Sequence, residues 1–266
     1  MKALDRNLVE RAALSKLLFL FLDYDGTLTP IVRRPELALL SSEARDVLRQ
    51  LRLLPGVEIG IISGRTLANL KKLISVSGIF YAGNHGYEIQ GPGLTYSYPG
   101  SEEIKRCLGK IAARLKRVLS GIKGLFVEDK GYTISIHYRQ VRSLKKVFEA
   151  KNIVKTELAA LRNNPLALSG GKKAWEIRPT AQWHKGKAVS LILRHVEKME
   201  KKKFSAVYIG DDRTDEDAFR CLNGASIAVV SGTQKRSHAK YYVRSSGEVL
   251  KFLGQLIKLR RNIKAK

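Results

Sequence analysis

Cysteine is scarce in this sequence. The 266-residue chain carries two, Cys107 and Cys221, far apart and in helix-like surroundings. Neither has the spacing of a metal or redox motif, so a cysteine-built centre is excluded and two unpaired thiols are expected. Long apolar runs are missing as well. No stretch approaches the roughly 18 apolar residues of a membrane span, so none is expected. The first residues mix charges (Lys2, Asp5, Arg6, Glu10, Arg11), and the only apolar run there is short and ends at Asp23. That is not the pattern of a signal peptide, and the reading is a cytoplasmic protein. Internal repeats and low-complexity segments are absent. Acidic residues are few: 24 Asp and Glu against 49 Lys and Arg leave a net charge of +25. The basic residues are spread along the chain, with small runs at 198–203 and in the terminal KLRRNIKAK. Spread charge is first a solvated surface; it also attracts anionic substrates and, non-specifically, nucleic acid. No zinc-finger or RNP pattern supports nucleic acid as the main partner.

What is present suffices for a sizeable core. Hydrophobic residues make up 44% of the chain, enough for one large domain or two modest ones. In the first hundred residues strand and helix patterns alternate. Residues 17–22 read as a buried strand, 42–54 as a helix capped by Ser41 or Ser42, 57–62 as a strand, 67–74 as a helix and 80–82 as a third strand. Continuous apolar strands alternating with helices predict a parallel sheet covered on both faces. After about residue 101 the texture changes. An amphipathic helix (Ile104, Leu108, Ile111, Leu115, Val118) precedes a cleanly alternating strand, 133–139. A helix over 143–161 and a strand over 173–178 follow. This reads as a separate α+β module with an open-faced antiparallel sheet. From Lys185 the first pattern resumes: helix 188–199, strand 206–209, helix 216–222, strands 227–230 and 241–243, and a closing helix 248–259. The expected organisation is a Rossmann-like core of residues 1–100 and 181–266, interrupted by an α+β module at 101–180.

Parallel α/β sheets bind ligands beyond the carboxyl ends of their strands. Three such ends here carry polar groups. The stretch FLFLDYDGTLTPI (19–31) runs from apolar residues into Asp23-Tyr24-Asp25-Gly26-Thr27; the second strand ends in Ser63-Gly64-Arg65; a late strand ends in Gly210-Asp211-Asp212-Arg213-Thr214-Asp215. Together they gather at least four carboxylates beside a hydroxyl. So many like charges cannot all stay ionised unaided. A divalent cation held by oxygen ligands resolves this, and Mg²⁺ suits carboxylates combined with a phosphate oxygen. One carboxylate is then a candidate nucleophile on phosphorus. A second can protonate the leaving oxygen and later activate water. A serine hydroxyl, backbone N–H groups of a Gly-containing turn and a lysine would hold the phosphoryl oxygens.

DYDGTLTPI, IISGR and GDDRTDEDAF resemble the first, second and fourth motifs of the haloacid dehalogenase (HAD) superfamily, and HKGKA at 184–188 supplies the lysine of the third. Order and spacing match from about residue 17 to 250, and the inserted module resembles that superfamily's large cap. GNHGYEI (83–89), VEDKGYTISIHYR (127–139), WEIRP (175–179) and TDEDAF (214–219) are similar to trehalose-6-phosphate phosphatases. The resemblance implies roles. Asp23 is the nucleophile and a Mg²⁺ ligand; Asp25 is the general acid/base and gives its carbonyl to the metal; Asp211 is the third protein ligand. Asp212 and Asp215 orient metal-bound water or the ligands. Ser63 and Lys185 bind the phosphoryl group, with backbone N–H groups at Gly26, Thr27 and Gly64. Arg65 stays open between a helix-start surface residue and a substrate contact. Where the family has Asp or Asn before the lysine, this chain has His184, read as a surface residue.

Glu128 and Lys130, two apart, share a face of any extended strand. By the resemblance, Glu128, Lys130 and Glu176 hold the sugar. Arg139 is a further sugar candidate, and Asn84, His85 and Glu88 line the floor of the cleft. His137 is read as a packing or hydrogen-bonding residue. Residues 101–180 hold 18 basic and 7 acidic side chains, a balance of +11 that favours an anionic substrate. The expectation is a monomeric, stand-alone phosphatase acting on a sugar phosphate, trehalose 6-phosphate first. Sucrose phosphate and mannosyl-phosphoglycerate are the rival substrates. A basic binding protein on an inactive phosphatase fold is the rival of another class.

Overall fold

The computed structural model describes residues 2–3, 6–161, 166–170, 173–180, 183–222, 225–229 and 237–264. The elements, in chain order, are β1 (Lys2–Ala3), α1 (Arg6–Leu14), β2 (Leu18–Leu22), α2 (Ser42–Arg52), β3 (Val57–Ile62), α3 (Leu67–Ile74), β4 (Phe80–Gly83), β5 (Glu88–Gly91) and β6 (Leu94–Ser97). Then come α4 (Ser101–Val118), β7 (Phe126–Asp129), β8 (Ile134–His137), α5 (Leu144–Ala159), β9 (Leu166–Gly170) and β10 (Ala174–Pro179). The chain closes with α6 (Lys185–Glu200), β11 (Ser205–Gly210), α7 (Glu216–Cys221), β12 (Ala225–Val229), β13 (Tyr241–Val243) and α8 (Ser246–Lys264). It divides into two compact units, 1–96 with 183–266, and 97–182.

In the first unit the sheet order is β1-β13-β12-β11-β2-β3-β4-β5-β6. Pairing is parallel from β1 to β4 and turns antiparallel at β5. The central strand, β2, explains the arrangement. Its five residues are all fully buried, because side chains alternate between two covered faces. Leu18, Leu20 and Leu22 enter the cluster formed with α1, α2 and α8, while Phe19 and Phe21 enter the one formed with α6 and α7. Burying each such side chain contributes roughly 1.5–3 kcal/mol. The helix starts carry their caps: Ser41 accepts from Ala44 N at 3.1 Å, and Thr66 from Asn69 N at 3.3 Å.

Helix α1 has no counterpart in the sequence reading. It buries Leu8, Val9, Ala12 and Ala13, and Arg260 of α8 donates to its exposed end, to Ala13 O at 3.2 Å and Ser15 O at 2.7 Å. These bonds satisfy carbonyls that a helix end leaves open. Strands β5 and β6 were also not anticipated. Val230, expected to end a strand, lies outside the described residues.

The second unit is two-layered. Strands β7-β8-β10-β9 form an antiparallel sheet. One face, with Val127, Ile134, Ile136, Trp175 and Ile177, packs with Leu108, Leu115, Ala150 and Val154 of α4 and α5. Strand β8 is shorter than the expected 133–139. It ends at His137, and Arg139 stands exposed in the turn beyond it.

Candidate active site

Sheet register collects the polar strand ends of the first unit. Leu22 is paired with Ile209 on one side and Ile61 on the other. One residue further on, Asp23 therefore neighbours Gly210 and Ile62, with Asp211 and Ser63 just beyond. Neighbouring strands lie about 4.8 Å apart, so these side chains must share one site. Asp23 is tied into the edge by its N–H, which donates to Ile209 O at 2.9 Å. Carboxylate oxygens of Asp23, Asp211 and Asp215 all lie within 4.8 Å of one another.

Lys185, the first residue of α6, is 2% exposed and reaches into this group. Its Nζ donates to Asp23 Oδ1 at 2.6 Å and to Asp215 Oδ1 at 2.7 Å. Asp215 is fully buried and saturated. Its Oδ1 also accepts from the Tyr208 hydroxyl at 2.7 Å, and its Oδ2 accepts from the N–H groups of Asp211 (3.0 Å) and Asp212 (2.8 Å). Asp215 and Asp212 also form a reciprocal cap at the turn before α7. The four hydrogen bonds fix the Asp215 carboxylate in place. Gly210 is required here, since a Cβ at that position would lie 2.3 Å from Asp215 Cγ.

Charge follows the burial. Desolvation drives the Asp23 carboxyl well above the usual carboxylate range; the Lys185 ammonium opposes this, while Asp215 and Asp211 add to it. Burial alone would lower Lys185, but Asp215 and Asp23 together outweigh it and hold the ammonium protonated, well above an ordinary lysine. Burial, and then Asp215, keep Tyr208 a neutral phenol, which fits its role as donor. Three carboxylates against one ammonium leave an anionic site built from hard oxygen donors.

The turn after Asp23 is shaped by its own hydrogen bonds. Gly26 has φ +89°, and a Cβ on it would meet the Asp211 carboxylate at 2.2 Å, so only glycine lets the turn lie against Asp211. The Gly26 N–H donates to Thr29 O at 2.8 Å and the Thr27 N–H to Tyr24 O at 3.4 Å. Both amides thus have an acceptor within the turn, the second at long range. Among the described residues no backbone carbonyl takes the Asp25 N–H, which leaves it to donate elsewhere. Thr27 Oγ1 is buried without a hydrogen-bond partner. Ser63 is 1% exposed; its Oγ accepts from Arg65 N at 3.2 Å, which leaves its proton to donate. The ring of His85 covers Gly64, where a Cβ would sit 2.7 Å from Cε1. Asn84 is buried, its amide donating to Glu88 at 3.1 Å.

Asp25 is not drawn into the cluster. Its carboxylate forms a two-pronged pair with Arg65, Nε to Oδ2 and Nη2 to Oδ1, both at 2.7 Å. Arg65 is thus not the surface residue that was one of the two readings from sequence. It is a largely buried partner of Asp25. His184 is half-buried, not a surface residue, and sits at the N-cap of α6 without a side-chain capping bond.

In the second unit, register sets Glu128 opposite Ser135, Ser135 opposite Glu176, and Glu176 opposite Ser169. These residues form one polar row on the face away from the helices. His137 Nε2 lies 3.0 Å from Glu128 Oε2, and Lys130 Nζ lies 3.8 Å from the same oxygen. Arg139, past the strand end, is outside that row.

The sequence profile of the trehalose-phosphatase family matches residues 21–247. The chain belongs to the trehalose-phosphatase family. It is 35% identical over 263 residues to the trehalose 6-phosphate phosphatase RA3 of Zea mays, covering 92% of this chain and 71% of that one. Its fold matches the C-terminal domain of the Candida albicans trehalose-6-phosphate phosphatase with TM-score 0.82 at 26% identity, over 97% of this chain and 98% of that one. A haloacid dehalogenase-like hydrolase from Bacteroides thetaiotaomicron shares the fold alone, with TM-score 0.62 at 16% identity over 91% of this chain and all of that one. Within this trehalose-phosphatase chain the residues missed by sequence reasoning are Tyr208 and, in its actual role, Arg65. Tyr208 alternates with the apolar residues of β11 and looked like core. Arg65 carried a signal, its place directly after Ser63-Gly64, but not its partner.

Proposed function

We propose that the protein hydrolyses trehalose 6-phosphate to trehalose and inorganic phosphate through a phospho-Asp23 intermediate. The observation that carries the reading is Lys185 held 2.6 Å from Asp23 and 2.7 Å from the saturated Asp215, at a strand edge shared with Ser63 and Asp211. Such a lysine fixes the nucleophile and offers charge to phosphoryl oxygens. Asp23 Oδ1 is held by Lys185, and its other oxygen attacks phosphorus. The bond from phosphorus to the sugar oxygen breaks, and Asp25 delivers a proton to that oxygen. Asp25 then takes a proton from water as the water oxygen bonds phosphorus and the Asp23–phosphorus bond breaks. Ser63 and the Asp25 N–H donate to the phosphoryl oxygens throughout.

The donor set fits Mg²⁺: clustered carboxylates, with a glycine giving close backbone access to Asp211. Asp23, Asp211 and the Asp25 carbonyl would hold it. Bound there, it would offset the charge of the carboxylates and the phosphoryl group. For the sugar, Glu128, Lys130 and Glu176 are assigned as hydroxyl partners, with Arg139, Asn84 and His85 as further contacts. The polar row on the antiparallel sheet supports this, since its acceptors and donors alternate at strand spacing. Residues 97–182 would then supply specificity, and the rest of the chain the chemistry.

The test is phosphate release with Mg²⁺ from trehalose 6-phosphate, sucrose 6-phosphate and glucose 6-phosphate. Clear preference for the first is expected. Equal rates on all three would remove the substrate assignment.

A further inference from the structure

The mechanism above needs Asp25 to donate a proton and then accept one, and in the arrangement seen its carboxylate is engaged by another residue. Both of its carboxylate oxygens accept from Arg65, fork against fork, at 2.7 Å. A carboxylate held in that fork gives one lone pair of each oxygen to the guanidinium, and protonating it in place would break a charge-assisted bond. Arg65 does not depend on Asp25 for its place. Its Nη2 also donates to Pro35 O at 2.7 Å, its Nη1 to Asn69 Oδ1 at 3.1 Å, and its guanidinium lies 5.1 Å from the centre of the Tyr24 ring. That ring is fully buried, and its hydroxyl is tied to Ala38 O at 2.7 Å. The two partners differ in freedom: the Arg65 side chain is 10% exposed and that of Asp25 45%. Turning Asp25 away uncovers little, whereas moving Arg65 would break several contacts.

We propose that Arg65 is a resting dock for Asp25, which leaves the guanidinium to carry out its proton transfers and returns afterwards. Arg65 is thus a positioning residue acting through Asp25. The inference rests on the proposed role of Asp25 but not on the identity of the sugar. The fork is well formed, but the Asp25 side chain is 45% exposed and water screens its half of the pair, so docking competes with catalysis without blocking it. Its functional sense is to restrain water activation when no leaving group calls Asp25 away.

An aryl phosphate separates this from a structural role. The phenolate of p-nitrophenyl phosphate leaves without a proton, so Asp25 is needed only to activate water in the second step. In Arg65→Gln, turnover of p-nitrophenyl phosphate should rise about threefold, the scale of releasing a weak pair. The rise should vanish when Asp25→Asn is combined with it. Should Arg65→Gln not fold, Arg65→Lys keeps the charge but not the fork and should give a smaller rise of the same sign. Unchanged or reduced aryl turnover in the folded variant overturns the dock, as does a rise that survives Asp25→Asn. A crystal structure of the wild type with Mg²⁺ and beryllofluoride on Asp23 gives an independent reading. Asp25 should lie beyond hydrogen-bond reach of Arg65, and a retained fork overturns the proposal. Failure of the underlying reading looks different. Full activity in Asp23→Asn, or aryl turnover without trehalose 6-phosphate turnover, would strike the nucleophile or the substrate and leave the Arg65 comparison standing.

Discussion

At the strand ends of the parallel sheet, Lys185 lies 2.6 Å from Asp23 and 2.7 Å from Asp215, and none of the three side chains is more than 5% exposed. On the antiparallel sheet, Lys130 lies 3.8 Å from Glu128, with side chains 14% and 34% exposed. Both are amine–carboxylate pairs, and the physics differs. Charges in the first group interact in a poorly screened interior and are cross-linked to backbone amides, so their positions are fixed. Those in the second stand in partial water, where an ion pair contributes little and is easily exchanged for a ligand's hydroxyls. The first arrangement suits bond making and breaking at one point in space. The second suits recognition, where the protein must give up its own contacts to accept others.

The comparison breaks most visibly at Asp23. Replacing it with asparagine should cut turnover at least about a thousandfold, as loss of a nucleophile does; a steady-state assay with full retention of activity would show that the buried group is structural only. Next is Asp215. Asp215→Ala leaves Lys185, Tyr208 and two backbone amides without their acceptor, and should cost about 3–5 kcal/mol in chemical denaturation. A loss under about 1 kcal/mol would mean that the buried network is no tighter than a surface pair. Glu128→Ala sharpens the other side. Stability should change by less than about 1 kcal/mol, while KM for trehalose 6-phosphate rises about tenfold and that for p-nitrophenyl phosphate stays put, the pattern of a lost ground-state contact. The smallest effect is expected at His184, the N-cap of α6 without a capping bond. His184→Asn should gain about 0.5–1 kcal/mol by accepting from a free first-turn amide, read from the denaturation midpoint.

Much of this was legible in the sequence because it depends on local order. Five consecutive buried residues running into Asp23 announce a central strand, and parallel strand ends meet by rule, so Asp23, Ser63 and Asp211 could be brought together without coordinates. The family motifs added Lys185. What escaped was set by contacts between distant segments. The partner of Arg65 lies 40 residues away and depends on where the Pro35 and Tyr24 backbones pass. The saturation of Asp215 requires Tyr208 and two amides at once. The bonds that the Gly26 and Thr27 amides make inside the turn, to Thr29 and Tyr24, cannot be read from residue types. Helix α1 was hidden by its charges, which mask a short apolar stripe completed by Arg260 from the other end of the chain. Arg139 was placed on a strand because its alternation with His137 continues in sequence after the hydrogen-bonded ladder has stopped.

The central claim is that Asp23 carries the phosphoryl group. The direct measurement is acid quenching of the enzyme during turnover of trehalose 6-phosphate with Mg²⁺, followed by peptide mapping of the trapped phosphoryl group. The account predicts an acid-stable, hydroxylamine-sensitive acyl phosphate on the peptide containing Asp23, absent in Asp23→Asn. A phosphoryl group on another residue, or turnover with no trapped phosphoenzyme and full activity in that variant, would contradict it.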